Sequence, residues 1–428
     1  MAADHPPKNP SGANPHAAFF RQSGWLMIAS IGSGGLFYLV HLLSKKISVA
    51  EYGAFGVMLA VAMCVPNMPL QMVFAQQTAR ALATGRERAL AGMIRLAWLG
   101  TFGLALLLAA GVALGHAQIL AAWKLPNPAA LWITLGVVLL SFWLPMFLGL
   151  MQGQQNFFWL GWDNIVNAIG RITVAAGLVL GFAGGSTDMI AGVCVGLALA
   201  VGIGMWQTRG LWRLRPEPFN VRELLGQIGP LMLGFGAVQF LFSADTMFVK
   251  AYFSEDESGF YVSAGTLSRA LLWLVLPLAT VMFPKIVHSA ARSEKSNLLG
   301  LVMLGTAILA AGGALGLTVL GPWVVKYAFT ESYVRVATAV LPWYAWAMVP
   351  LSLANALVNN LLARSQFRIV PVLVVLAVAY GVALTRFHGS LIMVLQTLGV
   401  FNLLLLAACA WFTWRGGVGI GAKVEDGG

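Results

Sequence analysis

Long apolar segments alternate with short polar gaps along the whole chain. A bilayer-spanning helix needs roughly 20 apolar residues, because the hydrocarbon core is about 30 Å thick. Segments of that kind fall at about 24–43, 53–75, 93–114, 129–151, 163–183, 188–206, 226–249, 259–283, 298–320, 336–361, 368–384 and 390–414. Lipid cannot satisfy loose backbone polar groups, and the alternating ten-residue segments of a barrel are absent. The pattern therefore predicts an all-α polytopic membrane protein with about twelve transmembrane helices.

Charge orients these helices. With the N-terminus inside, seventeen Lys and Arg fall in the inner segments. Seven fall in the outer gaps: Lys45, Lys46, Lys124, Lys250, Lys326, Arg335 and Arg386. Translocating basic residues is costly, so the bias predicts both termini on the cytoplasmic side. The acidic run Glu255-Asp256-Glu257 then lies outside. Composition agrees: 59% of residues are hydrophobic and 10% charged, against roughly 25% charged in soluble domains. The topology signal explains most of the net charge of +11. No basic stripe carries interleaved aromatics, so no nucleic-acid partner is expected. An acidic membrane surface or an anionic cargo is compatible with the excess.

Other chemistry is largely excluded. Cys64, Cys194 and Cys409 lie in spans and the six His are scattered, so no disulfide, metal or other cofactor is expected. The first apolar run is too long for a signal-peptide core and lacks an Ala-x-Ala site. No gap could fold a soluble domain. The longest inner ones, about 76–92, 207–225 and 284–297, read as amphipathic or elbow segments at the membrane surface. There is no GxxxxGK[ST] loop to hold ATP, and no Ser/His/Asp set, zincin helix or intramembrane aspartyl dyad. An enzyme is not expected.

The chain repeats itself once. After the first span it reads Ser48-Val49-Ala50-Glu51-Tyr52-Gly53-Ala54-Phe55, and after the seventh Ser254-Glu255-Asp256-Glu257-Ser258-Gly259-Phe260-Tyr261. Each copy turns with an acid two residues before a Gly and enters the next helix through an aromatic. Pro66 and Pro69 correspond to Pro277, and Pro145 to Pro350, at an offset near 206. An even number of helices separates the copies, so the halves are parallel repeats about an axis along the membrane normal. The expected organisation is an N-terminal tail (1–22), an N-lobe (23–210), a linker (211–225), a C-lobe (226–415) and a C-terminal tail (416–428). A cavity between two six-helix lobes follows. The span prolines are placed to bend helices, although Pro is also common in membrane helices generally.

Polar residues inside the spans are the candidate functional groups. A guanidinium at the bilayer centre costs roughly 2.5–3.5 kcal/mol on insertion scales, so Arg171 and Arg269 must face protein or water. Asp163, Asn167 and Arg171 are four apart and form one stripe on a helix. Asp163 could cap its helix and Arg171 could be paired structurally, or Arg171 could line a cavity that holds an anion. The nearest span acid to Arg269 is Asp245, which could pair with it structurally or bind a coupling cation. Asn355 and Asn359, with Ser352 and Asn360, could glue helices together or line a sugar path. Trp123, Trp159, Trp162, Trp212, Trp323 and Trp414 read as interfacial anchors.

The segment Ser48–Gly53, the Asp245-Thr246 helix, the Gly259-Phe260-Tyr261 turn with Ala264 and Leu267, and Phe283-Pro284 resemble the bacterial polysaccharide flippases. These are Wzx-type exporters of the multidrug/oligosaccharidyl-lipid/polysaccharide (MOP) superfamily. The resemblance covers the chain in length, helix count and repeat. It implies two six-helix lobes forming a V in the bacterial inner membrane. It also implies a polyprenyl-pyrophosphate-linked oligosaccharide as cargo, moved from the cytoplasmic to the periplasmic side by alternating access. Membrane lipids, H⁺ or Na⁺ as coupling ion, and a polymerase or secretion machinery are the implied partners. On that reading Arg171 and Arg269 suit the pyrophosphate, with Asn167, Asn355 and Asn359 along the path and Asp245 and Asp163 in coupling or gating. Two alternatives remain: a cation-coupled multidrug exporter of the same superfamily, and a non-transporting membrane subunit of a polysaccharide secretion complex. A lipid II flippase usually has two further helices, for which this chain has no room.

Overall fold

The computed structural model describes residues 15–291 and 298–415. They form α1 (Pro15–Leu39), which tightens into a 3₁₀ turn (Val40–Lys45), then α2 (Val49–Met63), α3 (Asn67–Thr84), α4 (Glu87–Trp123), α5 (Ala129–Gly153), α6 (Phe157–Gly181), α7 (Ser186–Gln207) and the short α8 (Arg209–Arg213). The second half holds α9 (Val221–Tyr252), α10 (Glu255–Ala291), α11 (Leu298–Ala328), α12 (Glu331–Ala363), α13 (Val370–Arg386, after a 3₁₀ turn at Phe367–Ile369) and α14 (Leu391–Arg415). No strand occurs among the described residues. Eleven helical stretches among them are long and apolar enough to cross a membrane, with α2 and α3 counted as one span. The apolar segment expected at 259–283 lies on the long helix α10.

The boundaries differ from the hydropathy edges in places. α1 begins at Pro15, so residues 15–22 are helical rather than tail. Pro at a first helical position costs no hydrogen bond. The expected elbow at 76–92 is mostly helix, because α3 runs to Thr84 and stops at Gly85, whose φ of 66° is left-handed. The expected elbow at 284–297 is helix to Ala291; residues 292–297 lie outside the described residues, as do 1–14 and the tail at 416–428. The prolines also divide. Pro66 caps α3 and breaks the second span, whereas Pro145 and Pro350 lie inside uninterrupted helices.

The repeat reappears as one packing scheme used twice. In the first half α1 packs on α6, α3 on α5, α4 on α5, α5 on α7 and α6 on α7. In the second half α9 packs on α13, α10 on α12, α11 on α12, α12 on α14 and α13 on α14. The two sets meet through α2 against α10 and α9, and through α3 and α4 against α9.

The repeated sequence motif sits where the halves cross. Both copies are Ser-x-x-Glu helix starts, in which a Ser side chain satisfies an orphan backbone donor. Ser48 Oγ accepts from the Glu51 amide at 3.2 Å, and Ser254 Oγ from the Glu257 amide at 3.3 Å. Two residues on, Gly53 and Gly259 face each other across the lobe interface. A β-carbon on Gly53 would lie 2.9 Å from the Gly259 amide nitrogen; one on Gly259 would overlap the Val49 carbonyl oxygen and lie 2.6 Å from Val49 Cγ1. Only residues without a side chain permit this approach. On either side Lys45 Nζ donates to Tyr327 O at 2.7 Å, and Lys124 Nζ to Phe253 O at 2.6 Å. Each lysine thus reaches from the first lobe to a helix end of the second. We call this the crossing end, and the opposite one, around Arg86, Arg88 and Glu217, the basic end.

Candidate functional site

α9 carries Asp245 seven residues before its end, fully buried. Its carboxylate draws together three helices. Oδ1 accepts from Arg269 Nη2 of α10 at 2.8 Å, and Oδ2 accepts from Tyr261 OH of α10 at 2.8 Å and from Tyr344 OH of α12. Arg269 also donates to Thr246 Oγ1 at 2.9 Å and, through Nε, to Phe242 O at 3.1 Å. Its guanidinium lies over the rings of Phe242 and Tyr344, 5.3 and 5.5 Å from their centroids. The pair Asp245–Arg269, expected from sequence as one of two readings, is therefore formed and saturated with further donors. The tyrosines were not visible as partners, because their helix positions carry no signal until α9, α10 and α12 are packed.

Arg171 is the opposite case. Among the described residues it makes no ion pair and no hydrogen bond, and its Nε is buried without a partner. Its one marked contact is with the ring of Phe37 on α1, 5.1 Å from the centroid. Its place on α6 is set by glycines of α7. A β-carbon on Gly192 would lie 2.7 Å from Arg171 O, and one on Gly196 would lie 2.5 Å from Asn167 O. The two helices therefore touch backbone to backbone, which fixes Arg171 and Asn167 as a rigid column.

The same column continues toward the basic end with the other two stripe residues. Asn167 is buried with Oδ1 unsatisfied, and Asp163 is 0% exposed with neither carboxylate oxygen hydrogen-bonded. The cap of α6 is Asn156, whose side chain accepts from the Trp159 amide. Asp163 lies well inside the helix, so the capping role considered for it is not what it does. From Asp163 to Arg171 the column spans about 12 Å at 1.5 Å per residue.

Asn355 and Asn359 lie elsewhere. They follow Tyr344 on α12 by roughly 16 and 22 Å at the same rise, toward the basic end. Asn359 Nδ2 donates to Asn355 O of its own helix at 2.7 Å. The structure does not bring them to Arg269. The side chain that bridges helices here is one the sequence did not single out: buried Asn402 of α14 donates to Ala347 O of α12 at 2.8 Å.

A second polar chain was also not legible. Thr266 of α10 donates its hydroxyl proton to Val262 O at 2.9 Å. It must then accept from Tyr52 OH at 3.2 Å, and Tyr52 in turn accepts from His41 Nδ1 at 2.8 Å. The chain His41–Tyr52–Thr266 crosses between the lobes. The described side chains also outline two open hollows of about 400 Å³ each, a polar one at the basic end and an apolar one between α9 and α13. Neither includes Arg171, Arg269 or Asp163.

Residues 19–290 match a family described as polysaccharide biosynthesis protein. No curated protein matches the chain in sequence. Among solved structures, an inward-facing multidrug resistance MATE family transporter of the MOP superfamily aligns with a TM-score of 0.70 at 10% identity, over 90% of this chain and 94% of that one. The lipid II flippase MurJ, in an inward closed conformation, aligns with a TM-score of 0.69 at 15% identity, over 91% and 87%. A MOP superfamily transporter from Pyrococcus furiosus aligns at 0.56 and 13% identity, over 94% and 96%. At these identities the likeness is one of fold. Because the family match spans well over half of the chain, and the described helices of its two halves share one packing scheme, the chain belongs to the polysaccharide biosynthesis protein family and has the fold of the MOP-superfamily transporters.

Proposed function

We propose that this protein flips a polyprenyl-pyrophosphate-linked oligosaccharide from the cytoplasmic to the periplasmic face of the bacterial inner membrane, its two six-helix lobes (23–210 and 226–415) rocking about the crossing end. The observation that carries this reading is the unpaired guanidinium of Arg171 within a span. Arg269 has its charge compensated by Asp245 and serves to hold α9, α10 and α12 together. Arg171 has no counter-ion among the described residues, and an uncompensated guanidinium in hydrocarbon is costly without use. Its planar fork of donors suits a diphosphate. Asn167 extends the polar column from Arg171.

Asp163 is our candidate for the coupling ion, H⁺ or Na⁺. A carboxylate buried without donors calls for a proton or a cation. Asp245 has its lone pairs engaged and acts in gating, by keeping Arg269 in place. The same Asp163 favours a second reading, a cation-coupled multidrug exporter, because it supplies an enclosed acid in the first lobe.

Reconstitution separates these readings. Liposomes carrying a fluorescent lipid-linked oligosaccharide are treated with an impermeant quencher, with and without an imposed H⁺ or Na⁺ gradient. Wild type is expected to expose inner-leaflet label; Arg171→Ala should insert normally and expose none, and Arg171→Lys should restore part of the rate. Wild-type movement by Arg171→Ala would overturn the cargo role. Gradient-driven efflux of organic cations without movement of the lipid would favour the exporter, and absence of both would favour a non-transporting subunit.

A further inference from the structure

Lys250 lies on the last turn of α9, at the crossing end. Its side chain is 0% exposed, and Nζ is buried without a hydrogen-bond partner. No ion pair reaches it among the described residues. Acids are nearby but are turned to other work or to solvent. Glu51 of α2 accepts from the Ser186 amide at 2.6 Å, which caps α7. Glu257 closes the Ser254 cap. Glu255 and Asp256, in the first turn of α10, are exposed. Lys124, a second lysine at this end, spends its ammonium on Phe253 O, three residues beyond Lys250. At the offset of 206 the repeat places Ser44 in the equivalent position, and its buried hydroxyl is also unpartnered. Neither copy supplies a counter-group.

We propose that Lys250 is a gating charge: closure at the crossing end strips its ammonium of water and partners, so the closed arrangement holds it at a cost and opening relieves it. Opposing forces are visible at the same place. The Gly53–Gly259 contact and the two lysine-to-carbonyl bonds favour closure. The buried ammonium favours opening, which gives it water and the carboxylates of Glu255 and Asp256. A balance of this kind keeps the two arrangements close in energy, as a transporter that alternates requires. A structural role is the rival explanation, but a lysine that locks a fold is paired or hydrogen-bonded, and this one is neither.

The test is conformational and does not depend on cargo. Spin labels are attached at Lys46→Cys and Glu331→Cys, exposed positions on opposite lobes at the crossing end, in the full-length cysteine-free protein in nanodiscs. Replacing a buried charge by an apolar side chain of similar size commonly stabilises the state that buries it, so Lys250→Met is expected to enrich the short-distance, closed population about tenfold or more over the open one. Lys250→Gln should do the same more weakly. Both should raise the melting temperature of the closed form. If Lys250 is instead structural, both variants should melt earlier and the closed fraction should fall or stay level, which overturns the proposal. Because the readout is a distance and not transport, it stands or falls apart from the identity of the cargo.

Discussion

Adding one methyl group at the lobe crossing should tip the molecule toward opening there. Gly259→Ala places a β-carbon against Val49 O and 2.6 Å from Val49 Cγ1. The first contact is with backbone, at the start of a helix held by the Ser48 cap, so no flexible side-chain end can swing away. Overpacking of a close contact typically costs about 1–3 kcal/mol. That cost falls on the closed arrangement alone if the lobes separate on opening. At about 1.4 kcal/mol per tenfold, the closed-to-open ratio should drop by roughly 5- to 150-fold. The assay is the Lys46–Glu331 spin-label distance described above, with Gly111→Ala as control. Gly111 has nothing within 4 Å of its would-be β-carbon, and Ala is a better helix former by about 0.5–1 kcal/mol, so the control should keep the wild-type distances. Gly53→Ala should act as Gly259→Ala does, because it meets the other side of the same contact. An unchanged distance distribution in Gly259→Ala, together with unchanged thermal stability, would refute the view that the glycine pair sets closure.

Other outcomes follow from the same geometry. Asp245→Asn leaves Arg269 buried without its counter-ion, which typically costs about 3–5 kcal/mol; the melting temperature in detergent should fall sharply, and an Asn variant as stable as wild type would remove Asp245 from the structural account. Tyr261→Phe deletes one donor to Asp245 and should cost roughly 1–3 kcal/mol, less than Asp245→Asn. Single cysteines at Ser48 and Ser254 in a cysteine-free background should react with an impermeant thiol reagent added outside cells, while one at Ser365, on the basic end, should not; the reverse pattern would invert the orientation drawn from the charge bias.

The sequence by itself determined the class, the helix count and the repeat. Span length and the ban on loose backbone in lipid leave helices as the solution, and those constraints are local, so they are legible in a string. The repeat was legible for the same reason: Ser48-x-x-Glu51-x-Gly53 and Ser254-x-x-Glu257-x-Gly259 are local capping and turn chemistry written twice. What the string could not state is that these two glycines touch each other, because contact between residues 206 positions apart depends on how the lobes dock. The cost of intramembrane charge marked Arg171 and Arg269 equally. Only tertiary packing separated them, by giving Arg269 the carboxylate of Asp245, itself held by Tyr261 and Tyr344, and the hydroxyl of Thr246, and by leaving Arg171 beside Phe37 with no ion pair among the described residues. Asp163, near a hydropathy edge, could be read as a cap or as part of a functional stripe, and it is an enclosed acid because α6 begins at Phe157. Lys250 read as one of seven basic residues in the outer gaps, since a side chain's burial at an interface is a property of both surfaces that form it.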